Sequence, residues 1–230
     1  MHKLSLNRLG VVLAMAALSV AALPDHAQAG CKSRPGPGVD WTKCFKERLI
    51  LSGKDMKKAV FNKAYLAGTD FSSADLRHAS FEGAEITRSS FRNAKLQGAK
   101  FMRAYGSRIN FNKADLSGGM LSKAELHRSN FSETNLKDAD LSNGDFYRDV
   151  FDRADLTGAN LNRANLSRAS FRNAILTKVD FTLAYMYHTE LQGADLSAVS
   201  GLTQQQIAII CTDSKTKLPT GLIAPISQSC

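Results

Sequence analysis

The sequence of 230 residues contains little cysteine, and none of it lies in the long central part of the chain. Two cysteines, Cys31 and Cys44, precede that part, and two, Cys211 and Cys230, follow it. No pair has the Cys-x-x-Cys spacing of a redox site, which argues against thiol catalysis. An even number of cysteines in an exported chain favours disulfides over free thiols or a metal site. Of the three possible pairings we expect Cys31–Cys44 and Cys211–Cys230, each closing a short loop.

The sequence also has little that could cross a membrane. One apolar run, residues 11–23, is too short for a standard span. It follows the basic residues Lys3 and Arg8 and precedes a small-x-small pattern that ends at Ala29. This order is typical of a secretory signal peptide, so we expect residues 1–29 to be removed and the mature chain, without a transmembrane segment, to reach the periplasm. Secretion and lipid attachment at Cys31 are alternatives, although Gln28 replaces the leucine usual in a lipobox.

Motifs for catalysis are missing as well. We find no nucleophile–base constellation, no metal-ligand spacing and no glycine-rich phosphate loop. His78, His127 and His188 lie in widely separated parts of the chain. We therefore expect no enzyme activity, no cofactor, no bound metal and no small-molecule substrate.

What the sequence has in abundance is a five-residue repeat. From Met56 to Leu196 every fifth residue, 29 in all, is large and apolar, with the one exception of Gly106. These residues include 14 Leu and 11 of the 12 Phe, and a small residue, usually Ala, stands two positions before most of them. A helix repeats every 3.6 residues and a strand every two, so neither explains this period. It indicates a short unit that is stacked many times.

A second period, of 20 residues, runs beneath the first. Taking every fourth apolar position sorts these residues into four columns, and two of the columns consist largely of one residue type. The leucine column is Leu76, Leu96, Leu116, Leu136, Leu156, Leu176 and Leu196. The phenylalanine column is Phe71, Phe91, Phe111, Phe131, Phe151 and Phe171. Residues 20 apart are thus expected to be stacked neighbours, which gives a coil of four sides with five residues on each side.

Seven of the repeats read Ala-Asp-Leu or Ala-Asn-Leu, beginning at Ala74, Ala114, Ala139, Ala154, Ala159, Ala164 and Ala194. These triplets resemble the A-(D/N)-L-x-x motif of the pentapeptide-repeat family, and the likeness covers about 141 of the 201 residues expected after cleavage. The resemblance implies an all-β fold, a right-handed quadrilateral β-helix with one pentapeptide per side. The 29 repeats then make about seven coils and, at about 4.8 Å per coil, a rod about 35 Å long.

The segments outside the repeats are predicted to be caps for the two ends of the rod. We divide the chain into a signal peptide (1–29), an N-terminal disulfide cap (30–53), the β-helix (54–198) and a C-terminal helix with a second disulfide cap (199–230). Trp41 and Phe45 are expected to cover the first coil. Thr203 is expected to N-cap a short helix that continues to Ile210.

Two residues break the inward pattern. Gly106 leaves room where Leu or Phe is usual, and we expect Ile109, at a position usually occupied by Ala, to fill it. Asp149 places an acid at an inward position. Because an unpaired buried carboxylate is costly, it should bond to the backbone, pair with an arginine or turn outward.

One of the four sides is unusual in its outward residues. At its corner runs an arginine ladder in steps of 20 residues: Arg88, Arg108, Arg128, Arg148 and Arg168. The same side carries His127 and all five tyrosines: Tyr65, Tyr105, Tyr147, Tyr185 and Tyr187. We call this side the Arg/Tyr face. Arginine and tyrosine are enriched at binding hot spots, and arginine suits carboxylate and phosphate. The simple alternative is a solvated edge, since 13 of the 29 repeats carry Lys or Arg at the ladder position.

The net charge of +9, about +8 after the expected cleavage, favours acidic partners or anionic surfaces. The sequence therefore predicts a non-enzymatic binding or scaffold protein whose Arg/Tyr face docks a protein partner or an anionic envelope polymer. A purely structural envelope protein is the alternative. Some members of the family act on topoisomerases as acidic DNA mimics, but this chain is basic and expected to be exported, so we do not expect that role or nucleic-acid binding.

Overall fold

The computed structural model describes residues 30–224, so the expected signal peptide and Cys230 lie outside the described range. Within that range, regular elements are few. A 3₁₀ turn, Gly30–Lys32, begins the range and a short helix, α1 (Gln204–Ile207), lies near its end. Two strands, β1 (Tyr105–Ser107) and β2 (Glu125–His127), pair in parallel. The coil between Val39 and Ser200 is otherwise built of tight turns and single β-bridges.

The repeat centred on Leu76 shows how five residues make one side of the coil. The Ala79 N–H donates to the Leu76 carbonyl at 3.0 Å, which closes a tight turn. The third residue of that turn, His78, has a φ of +58°, as in a type II turn. Leu76 and the small residue before it, Ala74, point inward and are fully buried. A small residue is needed two positions before each apolar one because both side chains share a narrow interior.

Residues 20 apart pair along the rod. Asp75 bridges Lys95 in parallel, and the Leu76 N–H donates to the Lys95 carbonyl at 2.8 Å. The same step of 20 holds from the Asp40–Val60 bridge to the Asp180–Ser200 bridge, which confirms the predicted four-sided stacking; the bridges Glu190–Cys211 and Asp195–Lys217 at the C-terminal end have steps of 21 and 22. The first bridges start from residues within 40–53. The coiled backbone therefore extends into the segment predicted to be the N-terminal cap.

The predicted columns fill the interior. Rings of the phenylalanine column stack almost parallel, with centroids 4.7 Å apart for Phe111 and Phe131 and 4.8 Å apart for Phe131 and Phe151. A second aromatic column meets the first edge-on, as in the pair Phe71–Phe81 at 5.7 Å and 89°. Offset stacking and edge-to-face contact are both favourable between aromatic rings. The ring spacing also measures the rise of one coil, which matches the usual distance between neighbouring strands.

At Gly106 the backbone itself moves into the space that a side chain would fill. Strand β1 is extended there, and a Cβ on Gly106 would lie 2.8 Å from the Thr87 amide nitrogen. Ile109 is buried, as predicted. The close approach of the backbone at Gly106 and the buried Ile109 side chain therefore compensate for the missing side chain. The sequence predicted only the role of Ile109.

Asp149 belongs to an inner column that is mostly polar: Thr69, Ser89, Ile109, Ser129, Asp149, Ala169 and Thr189. Its Oδ1 accepts a hydrogen bond from the Ser129 N–H at 2.7 Å, so the expected backbone partner is present. Its Oδ2 is buried and has no partner within the described residues. Burial raises the pKa of Asp149 well above the usual value, and the nearby charge of Asp145 raises it further against the opposing effect of the Ser129 N–H.

The N-terminal end contains the predicted Cys31–Cys44 disulfide, whose Cα atoms are 5.5 Å apart. Trp41 is buried and meets the Phe61 ring edge-on at 5.8 Å, as expected for a residue that covers the first coil. The prediction for Phe45 is wrong. Phe45 stands at an outward bridging position, is 77% exposed and stacks on the ring of Tyr65 at 4.5 Å.

At the other end, α1 begins at the predicted N-cap, Thr203, with a capping box to Gln206, and it ends at Ile207 instead of Ile210. The Gln206 side chain donates to the carbonyls of Phe181 and Ala184, both at 3.0 Å, and so covers part of the last coil. Cys211, which bridges Glu190, is disulfide-bonded. Its predicted partner Cys230 lies outside the described residues.

Candidate binding face

The five arginines of the ladder project from identical backbone positions. Each is the third residue of its turn, with φ between +55° and +60°. Each backbone N–H donates to the carbonyl of the residue 19 positions further on, as from Arg108 to His127 at 3.0 Å and from Arg128 to Tyr147 at 3.1 Å. Similar φ values in the same hydrogen-bond register give the five Cα–Cβ bonds similar directions. The ladder is therefore a row of five side chains, one per coil, directed away from the rod.

These five side chains are all exposed, and none forms an ion pair within residues 30–224. Some cations elsewhere on the rod do form ion pairs. Arg77 lies 2.7 Å from Asp75, Lys137 lies 3.1 Å from Asp155, and both lie on the opposite side of the coil. The hydrogen bond from Arg77 lowers the pKa of Asp75 to about 2. Eight of the 28 Lys and Arg side chains in residues 30–224 form ion pairs, and none of these eight belongs to the ladder.

The reason lies in the neighbouring rows. Across the corner from the ladder the outward residues carry no charge: Ser90, Asn110, Asn130, Val150 and Ser170. The acids of the Arg/Tyr face, Glu85, Glu125 and Asp145, occupy its far row, three residues before three of the five arginines. Asp145 there meets His127, with Oδ2 and Nε2 3.2 Å apart, instead of an arginine. Within the described residues, no direct ion pair therefore neutralises the ladder.

The tyrosines share the face but do not form one patch. Tyr65, Tyr105 and Tyr185 stand in the far row, whereas Tyr147 and Tyr187 stand in the middle row. Burial raises the pKa of Tyr105, with smaller effects from Tyr65 and Glu85. One tyrosine contacts the ladder, since the Arg148 Cζ lies 5.1 Å from the centre of the Tyr147 ring. The structure thus joins Tyr147 to the arginines and leaves Tyr65 and Tyr185 near opposite ends of the rod.

Family models match most of this coil. The model described as "Pentapeptide repeat region" matches residues 54–131. The model described as "Pentapeptide repeats (8 copies)" matches residues 150–186 and 164–200. The chain belongs to the pentapeptide repeat family. Its five-residue turns and its pairing in steps of 20 residues are the β-helix of that family.

Several solved pentapeptide repeat proteins are similar to this chain. HetL from the cyanobacterium Nostoc sp. strain PCC 7120, involved in heterocyst differentiation regulation, is 20% identical over 87% of this chain and 95% of its own, with a TM-score of 0.46. QnrB1, a plasmid-mediated fluoroquinolone resistance protein, is 16% identical over 76% and 91%, with a TM-score of 0.38. Rfr23 from the cyanobacterium Cyanothece 51142 is 30% identical over 54% and 63%, with a TM-score of 0.28. No curated protein matches in sequence. Because the TM-scores are low, the family assignment depends on the matched repeats.

The C-terminal end of this pentapeptide repeat rod has a cleft that the sequence did not predict. It encloses about 340 Å³ between the last coil and α1, and Leu183, Tyr185, Gln205 and Ile209 contribute to its walls. Leu183 is 65% exposed and has a φ of +56°. An apolar side chain is unusual at this turn position, where the other repeats carry polar, charged or small residues, so Leu183 was the signal available in the sequence.

Two further observations limit the chemistry of the described part of the chain. Between residues 30 and 224 no group of three or more His, Cys, Asp or Glu side chains could hold a metal ion. The described helices include none with the length and apolar character needed to cross a membrane.

Proposed function

We propose that this pentapeptide repeat protein is a non-enzymatic binding module whose arginine ladder holds an anionic partner. One observation carries the proposal: the ladder places five exposed guanidinium groups in a row without a single direct counter-charge in the described residues. Like charges at the spacing of one coil repel each other by about 1 kcal/mol even in water. An anionic partner that lies along the ladder relieves this repulsion and gains charge-assisted hydrogen bonds.

The proposal includes the setting in which the module works. The N-terminal disulfide is of a kind that persists in oxidising compartments, which supports export to the periplasm. We take the rod to be a right-handed four-sided β-helix of about seven coils, capped at both ends, so that the ladder stands on a rigid support. Rigid support matters because a preorganised row loses less conformational entropy on binding than a flexible basic tail.

The test compares two triple variants of the full chain that each lose three positive charges. The ladder variant is Arg108→Gln, Arg128→Gln and Arg148→Gln. The control variant is Lys57→Gln, Arg77→Gln and Lys137→Gln, from the opposite side of the coil, where these cations form ion pairs.

On a heparin column we expect the ladder variant to elute at clearly lower salt than wild type, and the control variant to stay close to wild type. The slope of log affinity against log salt should fall for the ladder variant by about two to three, since about that many counterions are no longer released. Equal retention of the two variants would mean that only net charge matters and would contradict the proposal. A purely structural role predicts the same equality.

A further inference from the structure

We infer that the N-terminal end of the rod docks on an anionic lipid bilayer, with Phe45 and Ile50 inserted at the level of the headgroups and the cations around them held at the lipid surface. This inference goes beyond the proposed function, because it concerns a second site that does not include the ladder. Two observations carry it: the uneven distribution of charge along the chain, and two exposed apolar side chains at its more basic end.

Most of the net positive charge lies at this end. Residues 30–63, which we call the basic end, contain nine Lys or Arg and three Asp or Glu, whereas residues 64–224 contain 19 and 17. Lys57 alone among the nine forms an ion pair in the part of the chain that the structure describes. The eight others have no direct counter-charge there: Lys32, Arg34, Lys43, Lys46, Arg48, Lys54, Lys58 and Lys63.

Two large apolar side chains stand among these cations. Phe45 is 77% exposed and Ile50 is 79% exposed. One face of the Phe45 ring stacks on Tyr65, with centroids 4.5 Å apart, and this contact holds the ring in place while its other face stays open. Ile50 bridges Asp70, so its row gives it no apolar neighbour. Packing within the rod therefore does not explain either side chain, and apolar side chains that share one end of a molecule mark an interaction site.

The cations of the basic end point in several directions. In the first coil, residues 40–59, three of the four corners carry a cation at the turn position: Lys43, Arg48 and Lys58, with φ between +54° and +59°. Lys32 and Arg34, both exposed, extend the charge onto the disulfide-bonded cap. A polymer or a partner protein that lies along one side of the rod meets only some of these residues. A surface that extends across the whole end meets them all, and a bilayer is such a surface.

The two kinds of residue act together on an anionic bilayer. Each Lys or Arg near an anionic leaflet strengthens binding by about fivefold. Apolar side chains insert at the boundary between headgroups and acyl chains, and stable attachment to a membrane usually needs both signals. Phe45 and Ile50 flank the corner formed by Arg48, so the apolar side chains and a guanidinium group reach the same surface. The long stems of lysine allow the other ammonium groups to reach the headgroups as well.

The experiment measures sedimentation with lipid vesicles. It uses the chain purified after export, which we expect to begin at Gly30, because the apolar run 11–23 would itself bind lipid. One set of vesicles contains equal parts of phosphatidylcholine and phosphatidylglycerol, and the other contains phosphatidylcholine alone. We expect the wild type to bind the mixed vesicles at least about tenfold more strongly than the neutral ones, and to be released at about 1 M salt, where the screening length is about 3 Å.

A first pair of variants tests the apolar contribution. The apolar variant is Phe45→Ser and Ile50→Ser. Its matched control is Ile175→Ser and Leu183→Ser, since these side chains are 50% and 65% exposed in a distant part of the rod. We expect the apolar variant to bind the mixed vesicles at least about tenfold more weakly than the wild type, which corresponds to about 1.4 kcal/mol. The control should bind like the wild type.

A second pair of variants tests the charge. The variant Lys43→Gln, Arg48→Gln and Lys58→Gln should lose at least about tenfold in binding to the mixed vesicles, since each cation contributes about fivefold. The ladder variant loses the same number of charges and should stay close to the wild type. Circular dichroism of every variant shows that the fold is kept.

Equal losses within either pair would overturn the inference, and so would a folded wild type that binds neither set of vesicles or binds both equally. Binding of polyglutamate that depends on Phe45 and Ile50, without binding to vesicles, would assign this end to an acidic protein and would also overturn it. The apolar variant should keep wild-type retention on heparin. Failure of this inference therefore leaves the proposed function of the ladder standing, and failure of the heparin test leaves the inference standing.

Discussion

The carboxyl group of Asp149 lies in an inner column where four of the other six residues carry hydroxyl groups. The Ser89 hydroxyl donates to the Leu66 carbonyl at 2.8 Å, and the Thr189 hydroxyl donates to the Leu166 carbonyl at 2.9 Å. Both bonds join residues 23 apart in sequence, so the small polar residues of this column tie one coil to the coil before it. A carboxylic acid can make such a bond only when it is protonated, because an ionised carboxylate has no hydrogen to donate.

We predict that Asp149→Ser makes the protein more stable at neutral and alkaline pH. Burial raises the pKa of Asp149 in the folded state above its unfolded value. A group whose pKa is raised in the folded state contributes its full stabilisation of the fold at a pH below its unfolded pKa. That contribution is lost as the pH rises through the folded pKa. The advantage of the serine variant should therefore be small near pH 4 and grow as the pH rises from the unfolded to the folded pKa of Asp149, by about 1.4 kcal/mol for each pH unit between the two.

Chemical denaturation of both proteins between pH 4 and pH 8 measures this difference. The serine introduced in the variant could accept from the Ser129 N–H, as Ser129 itself accepts from the Ile109 N–H at 3.2 Å, so the backbone keeps a partner. Parallel pH profiles for wild type and variant would show that the pKa of Asp149 is the same in the folded and unfolded states, and would contradict the prediction.

At the scale of the element, the columns of like side chains determine how the coils fit. Phe131 is fully buried between Phe111 and Phe151, with both neighbouring rings stacked on it. In the other aromatic column the inward residue that follows Phe101 is Leu121, so this column changes from phenylalanine to leucine. The fold therefore accepts leucine next to phenylalanine within one column.

We predict that Phe131→Ala destabilises the protein by about 3–5 kcal/mol, since it removes a buried ring from a rigid stack and leaves a cavity. Phe131→Leu should cost less than about 1.5–2 kcal/mol because it keeps most of the volume. Urea unfolding gives both values, with the slope of the transition as a check that the folded states are equally compact. Similar losses for the two variants would mean that ring stacking, and not volume, dominates the column.

The elements also show what the sequence could and could not predict. The columns, the step of 20 residues and the Cys31–Cys44 disulfide follow from repeated residue types and from cysteine spacing, which report burial and pairing directly. The exposure of Phe45 was missed because Lys46 interrupts the apolar pattern, although the backbone register continues through it. The cleft beside Leu183 was missed because it forms only where α1 packs on the last coil, and no periodic pattern describes that contact.

The candidate face, like the inner columns, was predictable in part from the sequence. The period of 20 placed the arginines in one row, and the structure shows that row. The absence of ion pairs within the described residues could not be predicted, because it depends on which side chains reach across a corner. Arg77 reaches Asp75 two residues before it in its own repeat, whereas the acids Glu85, Glu125 and Asp145 stand three residues before a ladder arginine and form no ion pair with one in the described residues.

For the whole molecule, the ladder and the paired cations should respond to salt in opposite ways. Salt screens repulsion within the ladder and attraction within the ion pairs alike, as the screening length falls from about 30 Å at 0.01 M to about 3 Å at 1 M. The ladder variant removes the repulsion in all four pairs of neighbouring ladder arginines and breaks no ion pair. We predict that at low salt it is more stable than wild type, by about 1 kcal/mol or more.

The control variant should differ in the opposite direction. Because it removes attractive pairs, it should be less stable than wild type at low salt, by less than about 1 kcal/mol for each exposed pair. Thermal unfolding from about 0.01 M to about 1 M sodium chloride tests both predictions, and at the high end the three proteins should converge. A ladder variant that is no more stable than wild type at low salt would show that its guanidinium groups spread apart in solution and do not repel. The ladder would then lack the unrelieved charge on which the proposed binding of an anionic partner depends.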